Sequence, residues 1–131
     1  LKTYGIDMKN TAIRGRYKPK NKNKYNGNIK KITYRSMWER RFMLYCDRSP
    51  NIIKWCSEEL HIPYVSPKDD KWHNYYPDFT VSLADGRTIV VEIKPHYQTN
   101  WNVNKSKWKA ARVYCDDNSY EFVVLTEKEL F

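Results

Sequence analysis

Apolar side chains recur along this chain with two different periods, and each change of period marks an element. Trp38, Phe42 and Tyr45 fall at i, i+4 and i+7, which predicts an amphipathic helix over residues 36–48. Ser36 opens it as an N-cap, with Glu39 at the capping-box position from which a carboxylate reaches back to the Ser36 N–H; Ser49-Pro50-Asn51 closes it. Residues 59–65 alternate instead, with Leu60, Ile62 and Tyr64 on one side, and predict a strand that Pro63 directs to a sheet edge. A polar loop over 66–74 follows. Residues 75–82 set Phe79 and Val81 against Asp78, Thr80 and Ser82, and residues 88–94 set Ile89, Val91 and Ile93 against Val90, Glu92 and Lys94, so one face of this strand pair is apolar and the other unusually charged. A helix over 103–115 carries Trp108, Ala111 and Cys115 as its inward stripe and stops at Asp116-Asp117-Asn118-Ser119. A strand over 120–125 and a short helical turn over 127–131 complete the chain. The order α-β-β-β-α-β predicts an α/β (α+β) domain with a mixed sheet, whose last strand returns through a helical crossover parallel to an earlier one.

Residues 1–30 have neither period. The run Arg14-Gly15-Arg16-Tyr17-Lys18-Pro19-Lys20-Asn21-Lys22-Asn23-Lys24-Tyr25 offers too little apolar surface to order itself, and predicts a basic arm, extended or partly disordered, ahead of a domain over 31–131. Tyr17 and Tyr25 suit an arm lying on nucleic acid or on the domain; a solvated tail is the plainer reading.

Charge sharpens this division. The net charge of +9 separates into +11 for residues 1–41, with 13 Lys/Arg against Asp7 and Glu39, and −2 for the remainder. Basicity confined to one end points to a polyanion gripped by that end. No amphipathic helix or lipidation signal favours a membrane surface, and no apolar run approaches the ~20 residues of a membrane helix. The opening Leu1-Lys2-Thr3-Tyr4-Gly5 lacks the apolar stretch of a secretory signal, so a soluble intracellular setting is expected. Cys46, Cys56 and Cys115 form no CxxC spacing, and with three scattered histidines they predict buried thiols in a reducing compartment rather than a zinc site.

Candidate chemistry lies in the charged hairpin. Ala84-Asp85-Gly86 suits a three-residue loop with Gly86 in the left-handed region, which pairs positions whose numbers sum to 170. Asp78 then opposes Glu92, and Tyr76 opposes Lys94. Two like charges directly across a sheet repel unless something compensates. A divalent cation compensates, since carboxylates are the hard oxygen ligands of Mg²⁺, and Lys94 projects from the same face as Glu92. A solvent-facing hairpin in which Lys94 screens the two acids explains the same pattern without chemistry.

Pro77-Asp78 on one strand and Glu92-Ile93-Lys94 on the next resemble the PD-(D/E)XK nuclease superfamily, whose restriction-endonuclease-like core has this αβββαβ order. The resemblance extends over roughly residues 14–127. Lys30 to Glu39, Ile62-Pro63-Tyr64, Val91-Glu92-Ile93-Lys94-Pro95, Trp101-Asn102-Val103-Asn104, Lys107-Trp108-Lys109-Ala110-Ala111 and Leu125-Thr126-Glu127 are similar to the head-completion nucleases of tailed phages, and more distantly to TnsA-type transposon endonucleases. Against the phage pattern the chain is shortened between Pro95 and Trp101.

The resemblance implies a DNA endonuclease dependent on Mg²⁺, with Mn²⁺ able to substitute, that leaves 5′-phosphate and 3′-hydroxyl ends. Asp78, Glu92 and the Ile93 carbonyl would hold the metal, with Lys94 assisting the attacking water. Glu39 matches a helix glutamate that completes the acidic cluster in TnsA-like members; its alternative role is the capping box alone. The resemblance further implies action after genome packaging, in the cytoplasm of an infected bacterial host or in the virion, with phage head, portal or neck proteins as partners. Arg16, Lys18, Lys20, Lys22, Lys24, Lys31, Arg35, Arg40 and Lys109 are the candidate DNA contacts, each also explicable as a solvated charge. Lys109 is preferred over Lys105 and Lys107 because it falls in the matched segment, and Trp108 is assigned to the core rather than to base stacking. Two rivals stand: a head-completion protein that binds DNA through the same fold without cutting it, and a basic, Tyr-rich RNA-binding protein.

Overall fold

A computed structural model describes residues 14–130. Its first elements are the short ladder of β1 (Gly15–Arg16) and β2 (Thr33–Tyr34), which pairs Gly15 with Tyr34. The Tyr34 ring lies where a side chain on residue 15 would stand, so Gly15 is required by close approach. Between these strands the backbone runs through 3₁₀ turns at Lys22–Lys24 and Ile29–Lys31.

This segment is not the free arm that its composition predicts. Tyr17, Tyr25 and Ile32 are buried, and the two tyrosine rings stand edge-on to Trp55 with centroids 5.9 and 4.7 Å away. The Asn26 N–H donates to the Trp55 carbonyl at 2.8 Å. Residues 14–35 therefore form a strap closing over the sheet, and no domain boundary falls at residue 30; residues 1–13 lie outside the described residues. Two aromatic anchors eight residues apart order the strap without any helical or strand period.

Helix α1 (Met37–Arg48) buries Trp38, Phe42, Met43 and Cys46, and Ser36 caps it by accepting the Glu39 N–H at 3.2 Å. Strand β3 (Ile52–Ser57) follows, where periodicity predicts nothing. A register shift between Ile52 and Lys54 breaks its alternation, so the strand carries no period-two signature. The predicted strand at 59–65 is present as β4 (Ile62–Val65), but it pairs with β5 (Trp72–Tyr75) in a separate two-stranded ribbon, and part of the predicted polar loop is strand. The predicted strand 75–82 is divided: Tyr75 ends β5, and β6 (Phe79–Leu83) begins after Pro77, which has no N–H to continue a ladder. Strand β7 (Thr88–Ile93), helix α2 (Asn102–Asp117), strand β8 (Glu121–Leu125) and the short α3 (Glu127–Leu130) complete the order.

The central sheet runs β3-β6-β7-β8, antiparallel except for the parallel β7/β8 pair, so the αβββαβ order holds with β4–β5 inserted between its first two strands. This is the mixed sheet of a restriction-endonuclease-like fold. Phe79 pairs with Val91 and Ser82 with Thr88, the register expected from the loop, and Gly86 adopts φ +94°. Alternation then separates two cores. Phe79, Val81, Val91 and Ile93 pack with α1, whereas Phe122 and Val124 join Trp108 and Ala111 of α2 and Ile62, Tyr64 and Tyr75 of the ribbon. Asp78 and Glu92 belong by parity to the α2 side.

Candidate active site

The ladder ends at Phe79–Val91, and the next pair takes over its hydrogen bonds with carboxylates. The Ile93 N–H donates to Asp78 Oδ2 at 2.7 Å, and the Asp78 N–H donates to Glu92 Oε1 at 3.3 Å. Each strand thus fixes the acid of the other. Trp108, buried on α2, approaches from above and points its indole N–H at Glu92 Oε2 at 3.5 Å. It is a core residue, as expected, that also orients a site carboxylate. Tyr76 is exposed, and no ladder pair joins it to Lys94.

Asp78, Glu92 and Lys94 share a cavity of about 530 Å³ with Arg35, Glu58, Tyr75 and Lys107. Burial, the charge of Glu92 and then that of Glu39 push the Asp78 carboxyl well above the ordinary range. Burial likewise raises Glu39, against a lowering hydrogen bond from the Arg35 N–H to Oε1 at 3.1 Å, and Glu58 and Glu92 raise it further. Glu39 therefore does not bond the Ser36 N–H as a capping box requires. It reaches past the helix start toward the acids without lining the cavity itself.

Glu58 is a site residue that the sequence reading missed. It follows β3 in the left-handed region at φ 55°, donates its N–H to the Asp78 carbonyl at 3.1 Å, and pairs with Arg35 Nη1 at 2.7 Å. Its signal, two glutamates at the end of a strand, was hidden because β3 was. The Tyr75 hydroxyl is buried at the cavity wall beside Glu92 and Trp108. Lys107, rather than Lys109, faces the site: its ammonium lies 5.9 and 5.8 Å from the Tyr64 and Tyr75 ring centroids, and burial, then Lys94, lower its pKa.

Residues 49–127, which hold Glu58, Asp78, Glu92, Lys94 and Lys107, match the family model for the TnsA-like endonuclease N-terminal domain. The chain belongs to that family. Over 91% of its length it is also 36% identical to the head completion nuclease of Enterobacteria phage T4, and the match covers 94% of that protein. Glu39 and Arg35 lie ahead of the matched TnsA-like segment.

The other candidate DNA contacts in this TnsA-like chain disperse. Arg16, Lys18, Lys20 and Arg40 line a second pocket together with Arg48. Lys24 is occupied, donating to the carbonyls of Asp47 at 3.0 Å and Ser49 at 2.8 Å. Lys22 and Lys31 are exposed and line neither pocket, and Lys109 borders an apolar groove between β4 and α2. The sequence also concealed Asp47, fully buried in α1, whose carboxylate accepts the Tyr17 hydroxyl at 2.6 Å and the N–H groups of Lys20 at 2.8 Å and Asn21 at 2.9 Å.

Among the described residues no three Asp, Glu, His or Cys side chains form a complete metal cluster. The donor set nevertheless fits Mg²⁺, which binds through one or two carboxylates and keeps several waters. Asp78 and Glu92 converge without an ion-pair partner among the described residues, and burial together with the charge of Glu92 raises the Asp78 carboxyl; a cation between the two acids would offset their repulsion.

Proposed function

We propose that the chain is a divalent-metal-dependent DNA endonuclease of the PD-(D/E)XK type. One observation carries this reading: two carboxylates meet across β6 and β7 in one cavity with Lys94, at the expected register. Asp78, Glu92 and the Ile93 carbonyl would hold Mg²⁺, which when bound supplies Lewis-acid stabilisation of the charge developing on the phosphate. Attack by a water oxygen on phosphorus breaks the bond to the 3′ oxygen and leaves a 5′-phosphate and a 3′-hydroxyl.

The chain's own groups prepare that step. Trp108 and the Asp78 N–H hold Glu92, and the Ile93 N–H holds Asp78, so both acids are oriented before substrate arrives. Lys94 donates to the attacking water or to a non-bridging phosphate oxygen. Lys107, stacked over Tyr64 and Tyr75, is a second fixed cation at the cavity wall. The phage relative, 36% identical over 91% of the chain, supports a role in completing a phage head.

The test is nicking of plasmid DNA in Mg²⁺ and in EDTA. Lys94→Ala is expected to lower kcat by about 10²-fold or more, as loss of one preorganised donor aimed at developing charge does. Lys107→Ala is expected to act mainly on KM, raising it roughly tenfold, the effect of one charge-assisted hydrogen bond to phosphate. Full cutting by Lys94→Ala would sink the nuclease reading, and calorimetry showing DNA binding without Mg²⁺ or Mn²⁺ binding would favour an inactive DNA-binding protein.

A further inference from the structure

The second pocket, of about 310 Å³, is lined by Arg16, Lys18 and Lys20 of the strap and by Arg40 and Arg48 of α1. None of these five cations forms an ion pair among the described residues, and no carboxylate lines the pocket. Asp47 lies behind it, fully buried, its oxygens turned to the Tyr17 hydroxyl and to the strap N–H groups. That acid fixes the strap against the helix and leaves the lysine and arginine heads outside uncompensated.

The pocket is also built rather than incidental. Arg40, Leu44 and Arg48 follow at i, i+4 and i+8, one stripe of a helix, and Arg40 lies over the Tyr34 ring at 5.8 Å. The Arg16 guanidinium donates to the Lys30 carbonyl. From Arg40 to Arg48 the helix rises about 12 Å. One DNA strand advances about 3.4 Å along the axis per phosphate, so this stripe covers a few successive phosphates. A site lined by five cations and no carboxylate suits a run of phosphates better than an uncharged metabolite.

The two pockets share no lining residue, yet Arg35 borders the catalytic cavity and Arg40 the basic pocket, on either side of the start of α1. We propose that the basic pocket is a second binding site for the sugar–phosphate backbone of DNA, holding the substrate outside the cavity where it is cut. This rests on the nuclease reading above. It assigns to the strap the function of completing a rigid phosphate site, and brings in Arg48, which charge along the sequence did not single out.

The test measures binding of a fluorescein-labelled DNA duplex to the full chain in EDTA by anisotropy across a KCl series. Lys18→Gln/Arg48→Gln is expected to reduce the slope of log affinity against log salt by about 1.8, one phosphate contact per residue. Lys71→Gln/Lys128→Gln, an equal charge change on exposed residues elsewhere, is expected to leave the slope unchanged. Equal slopes for the two doubles would overturn the proposal, as would tighter binding of an RNA duplex than of DNA with the same dependence on Lys18 and Arg48. Should the first double fail to fold, Lys20→Glu replaces it, because the Lys20 backbone bond to Asp47 does not involve the side chain; an unchanged slope there overturns the proposal equally. Cleavage by Asp78→Asn tests the nuclease reading separately: activity in that variant would end the catalytic assignment and leave the binding result standing.

Discussion

Asp78→Asn is expected to abolish plasmid cleavage, by about 10³-fold or more, and at the same time to make the metal-free chain harder to melt. The first effect follows from removing a charged oxygen where several kcal/mol of transition-state charge stabilisation is required, each 1.36 kcal/mol being tenfold in rate. The second follows from the electrostatics of the free site. Burial and the neighbouring charges of Glu92 and Glu39 raise the Asp78 carboxyl in the folded chain above its unfolded value near 3.9. The folded state therefore binds this proton more tightly than the unfolded state. Stability is fully present below pH 4 and is lost as pH rises through the folded pKa. Asparagine keeps an oxygen for the Ile93 N–H and carries no charge, so the gap in melting temperature between variant and parent should be near zero at pH 4 and widen toward pH 8. Mg²⁺ should close that gap by stabilising the parent alone. Differential scanning fluorimetry across pH with and without Mg²⁺ reads all three results. A variant that melts lower than the parent at pH 8 in EDTA would contradict the account of the site as a strained acidic cluster.

The second large effect is structural. Asp47→Ala is expected to destabilise the chain by about 3 kcal/mol or more, since it leaves the Tyr17 hydroxyl and the Lys20 and Asn21 N–H groups without their acceptor in a buried place. Burial alone would raise the Asp47 carboxyl, but the bonds from Tyr17, Lys20 and Asn21 outweigh it and hold it below the usual range. The sign is opposite to that of Asp78. The contribution is present above the unfolded pKa and is lost as pH falls through the folded one, so the parent should lose it on acidification while Asp47→Ala has none to lose. Urea denaturation at neutral and acidic pH measures the difference. Because Asp47 holds the strap, the same variant should also weaken DNA binding in EDTA, although Asp47 faces away from the basic pocket.

These two acids show how unevenly function is written along the chain. Asp78, Glu92 and Lys94 were readable because a hairpin is local: its loop sets the register, the register sets who faces whom, and two opposed carboxylates demand an explanation. The helices were readable for a similar reason, with Trp108, Ala111 and Cys115 buried in α2 at their helical spacing. Strand β3 was not, because a bulge erases the alternation, and with it went Glu58, whose position depends on where that strand ends. The strap was misjudged because Tyr17 and Tyr25 are only two apolar residues in a basic run until Trp55 stands between them.

The sequence by itself determined the two long helices and the register of the charged hairpin, since both depend on short-range spacing, and its motifs carried the resemblance to the family. Only the tertiary structure decided that the basic segment is a strap, that Lys107 and not Lys109 faces the site, and that Asp47 fixes the strap against α1 beside a second pocket lined by five cations. Those outcomes depend on which surfaces from distant parts of the chain come into contact, and side-chain burial of that kind leaves no period to read.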